Sequence, residues 1–196
     1  MDLMKSNVAA LPQFSPLDLQ HRSAAWKILA VGVGSLILTL SSWIVVPMVP
    51  VPVTMQTFAV TLIGALYGWR LGAATVLAWL GQAAVGLPVL AGGAGGLPHF
   101  FGPTGGYLLA FLLAAMVTGW LAERGWNGRR VGLAFVSMLV GNALCLVVGA
   151  AWLATIIGPK QAIIAGVLPF IVGGILKSGL AAVTLRVMTQ GRKSKA

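Results

Sequence analysis

The clearest pattern along the chain is the length of its uncharged stretches. No Asp, Glu, Lys or Arg occurs within residues 28–69, 71–122, 131–159 or 161–176. A helix crosses the hydrocarbon core of a membrane with about 20 apolar residues. The first two stretches are therefore long enough for more than one membrane span each, once they are divided at turn signals.

Proline and glycine divide these stretches into six predicted spans. The proline-rich segment 47–52 ends the first span, because proline lacks the N–H that a helix needs, and Thr54 is a candidate N-cap for the second. A glycine-rich loop over 88–103 follows the third span, and its segment 91–99 is predicted not to be helical. After a short interfacial piece at 161–167, Pro169 falls in the first turn of the last span, where proline is tolerated. The predicted spans cover 26–46, 55–68, 71–87, 104–122, 131–157 and 169–189.

Lys and Arg are divided unequally between the two sides that six spans create. Eleven of them fall on one side, whereas the loops of the opposite side hold Lys160 alone. Cytoplasmic segments carry the Lys/Arg excess. The sequence therefore predicts an all-α integral protein of the cytoplasmic membrane, with six transmembrane helices and both termini cytoplasmic. It is predicted to be one membrane domain over 1–196, with an N-terminal segment (1–25), a bundle (about 26–189) and a basic tail (190–196).

The composition argues against other broad classes of protein. Charged residues make up 8% and hydrophobic residues 58% of the chain, whereas soluble domains have roughly 25% charged residues. A net charge of +10 would suggest nucleic acid in a soluble protein. Here the cations are explained by membrane orientation, so no nucleic-acid partner is expected. The single Cys145 excludes a disulfide scaffold, and no cleavable signal peptide is evident.

The acidic and histidine residues argue against an enzyme. Asp2, Asp18 and Glu123 all fall in predicted cytoplasmic segments, and His21 and His99 fall on opposite sides. No carboxylate pair can therefore meet in the membrane for acid–base chemistry, and no multi-His metal site is expected. The phosphate-binding pattern G-x-x-x-x-G-K-[ST] is absent. We expect no catalytic residue, no metal and no cofactor.

One cation, Lys177, falls inside the predicted last span. If that span begins near residue 169, Lys177 is about eight residues along it, roughly 12 Å below the outer edge at 1.5 Å per residue. An ionisable residue at this depth is a candidate functional residue. Snorkelling toward a surface is the alternative. We predict that Lys177 faces a cavity and anchors an anionic ligand group.

The predicted external loops carry further candidate substrate-binding residues. Gly92 and Gly93 lie in a loop where glycine lets the backbone approach a ligand closely. Thr104, Gly105 and Tyr107 open the fourth span, where free N–H groups and a partial positive charge suit a carboxylate. A simple turn and helix cap is the alternative interpretation of this segment.

Two amides inside the predicted spans are further candidates for substrate binding, and two pairs of small residues are candidates for partner docking. Gln56 and Asn142 could bind a ligand, or could instead bind a neighbouring helix. Small residues four apart allow close contact between helices, and on a lipid-exposed face they would form a docking site for a partner protein. These candidate docking pairs are Ala30 with Gly34 and Ala74 with Ala78.

Four blocks of the chain have distinctive sequences: Val-Pro-Val-Thr-Met-Gln-Thr at 51–57, the glycine-rich block at 87–96, Gly-Pro-Thr-Gly-Gly-Tyr at 102–107, and Pro-Phe-Ile-x-Gly-x-x-x-Lys at 169–177. Together these blocks resemble the motifs of the BioY family, the biotin-specific substrate-capture (S) components of energy-coupling factor (ECF) transporters. The similarity extends over roughly residues 25–188. The family commonly has Asp three residues before the final-span lysine, and this chain has Gly174 there.

The resemblance implies high-affinity capture of extracellular biotin for import. It implies six helices with cytoplasmic termini and an outward-opening pocket under the loop after the first span. The implied partners, besides membrane lipid, are a transmembrane coupling (T) protein and two ABC-type ATPases. Some members are thought to work without these partners, so self-association is a further possibility.

Three other hypotheses stay open at this point. The chain could be an S component for another vitamin, such as riboflavin or thiamine, which a co-purifying ligand would reveal. It could be a membrane-embedded enzyme acting on lipids, although the carboxylate and histidine positions argue against this. It could also be a structural subunit of a larger complex, in which case no ligand would co-purify and Lys177→Ala would be tolerated.

Overall fold

The structure, a computed structural model, describes Ser15, Leu17, Leu19 and residues 22–193. The predictions that concern Asp2, Asp18, His21 and the ends of the chain lie outside the described residues. The described part is mostly helical, with one pair of short strands. Its elements are α1 (Ala24–Trp43), β1 (Val45–Val46), β2 (Val53–Thr54), α2 (Gln56–Ala84), α3 (Pro98–Phe101), α4 (Gly105–Glu123), α5 (Val131–Ile157), α6 (Pro159–Gly166) and α7 (Leu168–Lys193).

Five of the described helices are long and apolar enough to cross a membrane, namely α1, α2, α4, α5 and α7. The described part of the chain thus has the helices of a multi-pass membrane protein. With 29 residues, α2 is the longest of them. It is not one straight helix, because Gly68 has φ 80° and ψ 169° in its interior.

The chain reverses direction at Gly68. A Cβ added at Gly72 would lie 3.1 Å from the Cα of Gly64, whereas residues eight apart in a straight helix are separated by about 12 Å. We call residues 56–67 the first arm of α2 and residues 69–84 its second arm. Only glycine readily adopts the backbone angles of Gly68. The reversal falls in the turn that the sequence predicts between the second and third spans.

Two loops contain more regular structure than the sequence predicts. The first predicted span ends earlier, at Trp43, and the chain then forms the antiparallel pair β1–β2, with Val45 opposite Thr54 and Val46 opposite Val53. The prediction that segment 91–99 is not helical is wrong at both of its ends. Ala91–Gly93 form a 3-10 turn, and the helix Pro98–Phe101 begins within the segment, because a proline in the first turn favours it. The helices α4 to α7 lie close to their predicted bounds, with Pro169 in the first turn of α7.

Contacts between the helices define two ends of the bundle. At one end, Trp69 N donates to Glu123 Oε1 at 3.3 Å, and Gly128 lies against Leu185 and Thr189. We call this the basic end, because it holds most of the described cationic side chains: Arg22, Lys27, Arg70, Arg124, Arg129, Arg130 and Arg186. The opposite end carries β1–β2, the 87–103 loop and Lys160, and we call it the loop end.

Candidate functional site

A cavity of about 210 Å³ lies under the loops of the loop end. It is bounded by the segment around β2, the glycine-rich loop, the start of α4 and the middle of α7. Of the predicted substrate-binding residues, Lys177, Tyr107, Thr104 and Gln56 line it. The full set of lining residues is Val51, Pro52, Thr54, Gln56, Leu90, Ala91, Ala94, His99, Thr104, Tyr107, Leu108, Phe170 and Lys177.

Lys177 lies deep in this cavity and is 9% exposed. Its Nζ donates a hydrogen bond to the main-chain carbonyl of Thr54 at 3.0 Å. The one described carboxylate, Glu123, lies at the other end of the bundle. Because burying a charge without a counter-charge is costly, the cavity favours a ligand that brings an anionic group to Lys177.

A second, apolar cavity of about 360 Å³ adjoins the first. It lies between the β1–β2 segment and α7, and Ile44, Val46 and Leu176 are among its lining residues. Thr54 and Lys177 line both cavities. Their hydrogen bond therefore lies on the boundary between the two spaces.

Gln56 and His99, which line the first cavity, each have a buried polar atom without a partner. Thr54 Oγ1 donates to Gln56 Oε1 at 2.8 Å, which fixes the amide, while Gln56 Nε2 is buried and has no hydrogen-bond partner. His99 Nδ1 is likewise buried without a partner. An unpaired buried polar atom costs free energy, so both atoms are suited to hydrogen-bond a polar ligand. The sequence points to Gln56, but it gives no signal for His99 beyond its place in the glycine-rich loop.

Tyr107 lines the cavity with its ring while its hydroxyl is used elsewhere. The hydroxyl donates to the carbonyl of Gly166 at 2.8 Å. The ring stacks on Phe170, with centroids 6.3 Å apart and planes inclined by 28°. Gly149 of α5 lies so close to this ring that an added Cβ would overlap it. Tyr107 is therefore both a packing residue and part of the cavity wall.

The segment 102–107 forms a turn that packs against α5. Gly105 N donates to Gly102 O at 3.0 Å, and Trp152 Nε1 donates to the same carbonyl at 2.9 Å. Thr104 lines the cavity, and its hydroxyl donates to His99 O at 3.4 Å. Gly105 is not among the lining residues, which favours the turn-and-cap interpretation for this position. Trp152 was not a candidate from the sequence.

Gly92 and Gly93 lie beside the cavity and are not among its lining residues. Both are exposed and have positive φ angles of 67° and 79°. They form a tight turn in which Leu90 N donates to Ala94 O at 2.9 Å. The alanines on either side, Ala91 and Ala94, line the cavity instead. These glycines therefore shape the loop that covers the cavity.

Asn142 links two helices and is not among the residues that line the cavity. Its Nδ2 donates to Met138 O at 3.1 Å within α5 and to Ser178 Oγ of α7 at 3.0 Å. A Cβ added at Gly174 would lie 3.7 Å from Asn142 Oδ1. The structure thus favours helix-to-helix hydrogen bonding, which was the alternative for this residue.

The predicted docking residues occupy different environments. Gly34 is buried inside the bundle, and an added Cβ would press on Thr75 and Tyr67. The carbonyl of Ala30 accepts a hydrogen bond from the Tyr67 hydroxyl at 2.9 Å. Gly34 therefore lies in an internal contact and not on an exposed face. The other pair lies on the outer face of the second arm of α2, where Ala74 is exposed and Ala78 is half-buried.

The described residues that line the cavity suit the binding of a small molecule. Within Ser15, Leu17, Leu19 and 22–193, no group of three His, Cys, Asp or Glu side chains could hold a metal ion. The cavity combines one cation, one amide, one imidazole and a wall of apolar and aromatic side chains. Such a lining fits a small, largely apolar molecule with a few polar groups and an anionic end.

Comparisons with known proteins give a consistent result. A model described as "BioY family" matches residues 12–194. The chain is 35% identical over 134 residues to "Probable biotin transporter BioY" of Pyrococcus horikoshii, covering 68% of this chain and 78% of that protein. It is 38% identical over 151 residues to "Biotin transporter BioY" of Rhizobium etli, covering 73% and 80%.

A solved structure resembles the fold. The crystal structure of the S-component for biotin from an ECF-type ABC transporter superposes with a TM-score of 0.75 and 27% sequence identity. The match covers 86% of this chain and 95% of that chain.

Proposed function

The chain belongs to the BioY family, and we propose that it captures biotin for uptake across the cytoplasmic membrane, as the biotin-binding S component of an ECF-type transporter. The relatives' names and the structural match support this function. Within the molecule, the observation that supports this function most directly is the buried Lys177. Among the described residues, its Nζ donates a hydrogen bond only to the carbonyl of Thr54.

The chemistry of the cavity matches the parts of biotin. Biotin has an apolar bicycle, a polar ureido edge and a valerate carboxylate. Lys177 would bind the carboxylate through a charge-assisted hydrogen bond, which is stronger than a neutral one. Gln56 Nε2 and His99 Nδ1, both without partners, would hydrogen-bond the ureido edge. The apolar bicycle would pack on Tyr107 and Phe170.

The proposed topology has six spans with both termini in the cytoplasm. The reversal at Gly68 supports it, because the two arms of α2 then cross the bilayer in opposite directions. The arms have 12 and 16 residues by their bounds 56–67 and 69–84, so a locally thinned bilayer would suit them. The described cations also support this orientation, because seven lie at the basic end and only Lys160 at the tip of the loop end.

The proposed partners are a transmembrane coupling protein and two ABC-type ATPases. The sequence supports the need for an external ATPase, because it contains no G-x-x-x-x-G-K-[ST] motif. The outer face of the second arm, with Ala74 and Ala78, offers small residues for close helix contact. Self-association without ATPases is the alternative, and pull-down of tagged protein from its native membrane would separate the two.

Isothermal titration of the purified, folded chain with biotin tests the function directly. We expect saturable heat with one biotin per chain. No heat at micromolar biotin, from protein that unfolds cooperatively, would contradict the proposal. Riboflavin and thiamine serve as controls, since binding of either in place of biotin would indicate an S component for another vitamin. Mass spectrometry of any co-purifying ligand gives an independent answer.

A further inference from the structure

A cavity of about 660 Å³ opens at the basic end, far from the proposed biotin site, and we call it the polar cavity because three charged side chains line it. Lys27 of α1 and Arg70 of α2 contribute cationic groups to it, and Trp69 forms part of its wall. Glu123 also lines the cavity, and its Oε1 accepts a hydrogen bond from Trp69 N. Among the described residues, two cations thus share this space with one carboxylate, which already accepts a hydrogen bond. The cavity therefore favours an anionic group.

Trp69 is also a wall of a neighbouring apolar groove of about 370 Å³. The rest of the groove is formed by α4, through Met116, Val117 and Trp120. The indole of Trp120 is 43% exposed, so the groove opens on the outer surface of the bundle. At its basic end, the guanidinium carbon of Arg124 lies 3.6 Å from the centre of the Trp120 ring.

The close approach of α2 to α4 explains why a groove forms here. Gly119 lies against the main chain of Gly68 and Trp69, so that an added Cβ would collide with it. The turn is thereby held tightly on α4, and Trp69 and Trp120 line the same groove beside this contact. Arg70 lies 5.0 Å from the centre of the Trp69 ring. Each tryptophan of the groove thus has a guanidinium beside it.

This arrangement matches the chemistry of a phospholipid. Tryptophan is enriched where a membrane protein crosses the lipid headgroup region, and clusters of Lys and Arg attract anionic lipids. We propose that the polar cavity and the groove together bind one anionic phospholipid. Its phosphate lies near Lys27 and Arg70, and one of its acyl chains lies in the groove against Val117 and Trp120.

Charge decides which lipid is bound. Seven described cationic side chains lie at the basic end, and Glu123 is the one described acid. A phosphatidylglycerol headgroup adds one negative charge to this field. A phosphatidylcholine headgroup brings an ammonium that the same cations repel. The groove supplies apolar contact to either lipid, so selectivity arises from the polar cavity.

Native mass spectrometry of the full chain in detergent, titrated with phosphatidylglycerol, tests this proposal. We expect one tightly retained phosphatidylglycerol per chain and weaker retention of phosphatidylcholine. The double variant Lys27→Gln/Arg70→Gln should weaken retention by about fivefold or more, since each surface cation contributes to anionic-lipid attraction. Arg129→Gln/Arg130→Gln is the matched control, because it removes the same charge at the same end, away from both cavities.

Three outcomes would overturn the proposal. Equal retention of the two lipids would exclude selection by charge, and an equal loss in both double variants would reduce the effect to general surface charge. The third test compares two lipids on the unchanged protein. Dihexanoyl-phosphatidylglycerol, whose chains are too short to fill the groove, should bind more weakly than the long-chain lipid. Equal binding of these two would exclude the groove. Biotin affinity, measured on each variant, should be unchanged and serves as the test of correct folding.

Discussion

Lys177 of α7 and Thr54 of β2 are joined by a 3.0 Å hydrogen bond from the ammonium to the main-chain carbonyl. The two residues are 123 positions apart, and both line the two cavities of the loop end. This bond connects the charged residue of the proposed biotin site to the loop segment that covers it.

Replacing Lys177 by methionine should weaken biotin binding by about tenfold or more, because a hydrogen bond to a charged group contributes roughly 1.5–3 kcal/mol. Methionine fills a similar volume, so a loss of packing should contribute little. Isothermal titration measures the affinity. The control is Lys160→Met, which removes the same charge from an exposed position on α6. Unchanged affinity in Lys177→Met would place the ligand carboxylate elsewhere.

Gln56→Met should lower biotin affinity while leaving the melting temperature nearly unchanged. The substitution removes the Nε2 donor that the proposed ureido contact needs, and a neutral hydrogen bond contributes about 0.5–1.5 kcal/mol, or roughly two- to tenfold in affinity. It also removes a buried donor without a partner, which offsets the loss of the bond from Thr54. Calorimetric titration and thermal unfolding in the same detergent separate the two effects. A large fall in melting temperature with unchanged affinity would indicate a packing role.

Tyr107→Phe and Tyr107→Ala should differ in what they change. The phenylalanine variant loses the bond to Gly166 but keeps the ring, so its stability should fall by about 1–3 kcal/mol, the cost of leaving a buried group unpaired, with affinity largely retained. The alanine variant also loses the cavity wall and should bind biotin more weakly. If Tyr107→Phe weakens binding as much as Tyr107→Ala does, the hydroxyl contacts the ligand directly.

Gly149→Ala should lower both stability and biotin affinity, because the added methyl group overlaps the ring of Tyr107. Overpacking of this kind costs about 1–3 kcal/mol, and a displaced ring alters the cavity. Gly132→Ala is the matched control. Gly132 lies on the same helix, α5, and an added Cβ there has no neighbour within 4 Å. Thermal unfolding and titration with biotin measure the two effects. Equal melting temperatures and equal biotin affinities in the two variants would show that the contact between Gly149 and Tyr107 contributes neither to stability nor to binding.

Gly68→Ala should destabilise the protein by about 1–3 kcal/mol, because a side chain is strained at the backbone angles of this residue. Gly81→Ala, in the helical second arm with open space around an added Cβ, should be neutral or stabilising by up to about 1 kcal/mol. Melting temperatures of the two variants in one detergent test the difference. A neutral Gly68→Ala would contradict a reversal at this residue.

The sequence predicts the long helices well because their signals are local. Uncharged stretches bounded by glycine, proline and charge identify both ends of α5 and the start of α7, although α7 continues to Lys193 instead of ending near residue 189. A turn at 68–72 is visible from its composition. Lys177 is identified because it falls inside a predicted span, whereas Arg70 and Lys160 fall at turns that glycine and proline mark. Such features depend on neighbours in the chain and need no knowledge of the packing.

The remaining features of the site depend on contacts between distant residues. An amide inside a span is ambiguous, and only the position of Ser178 beside Asn142 shows that its donor is already used. The pairing of β1 with β2 depends on a register that four short-strand residues cannot specify. His99 becomes a candidate ligand-binding residue only when the loop fold buries its Nδ1 without a partner.

The bond between Lys177 and Thr54 leaves donors of the ammonium for a ligand. A lysine ammonium has three N–H donors, and the carbonyl of Thr54 accepts from one of them. That carbonyl supplies a dipole but no counter-charge, whereas a carboxylate supplies a full negative charge and a charge-assisted hydrogen bond. At this one nitrogen atom the protein therefore favours an acid over its amide or ester.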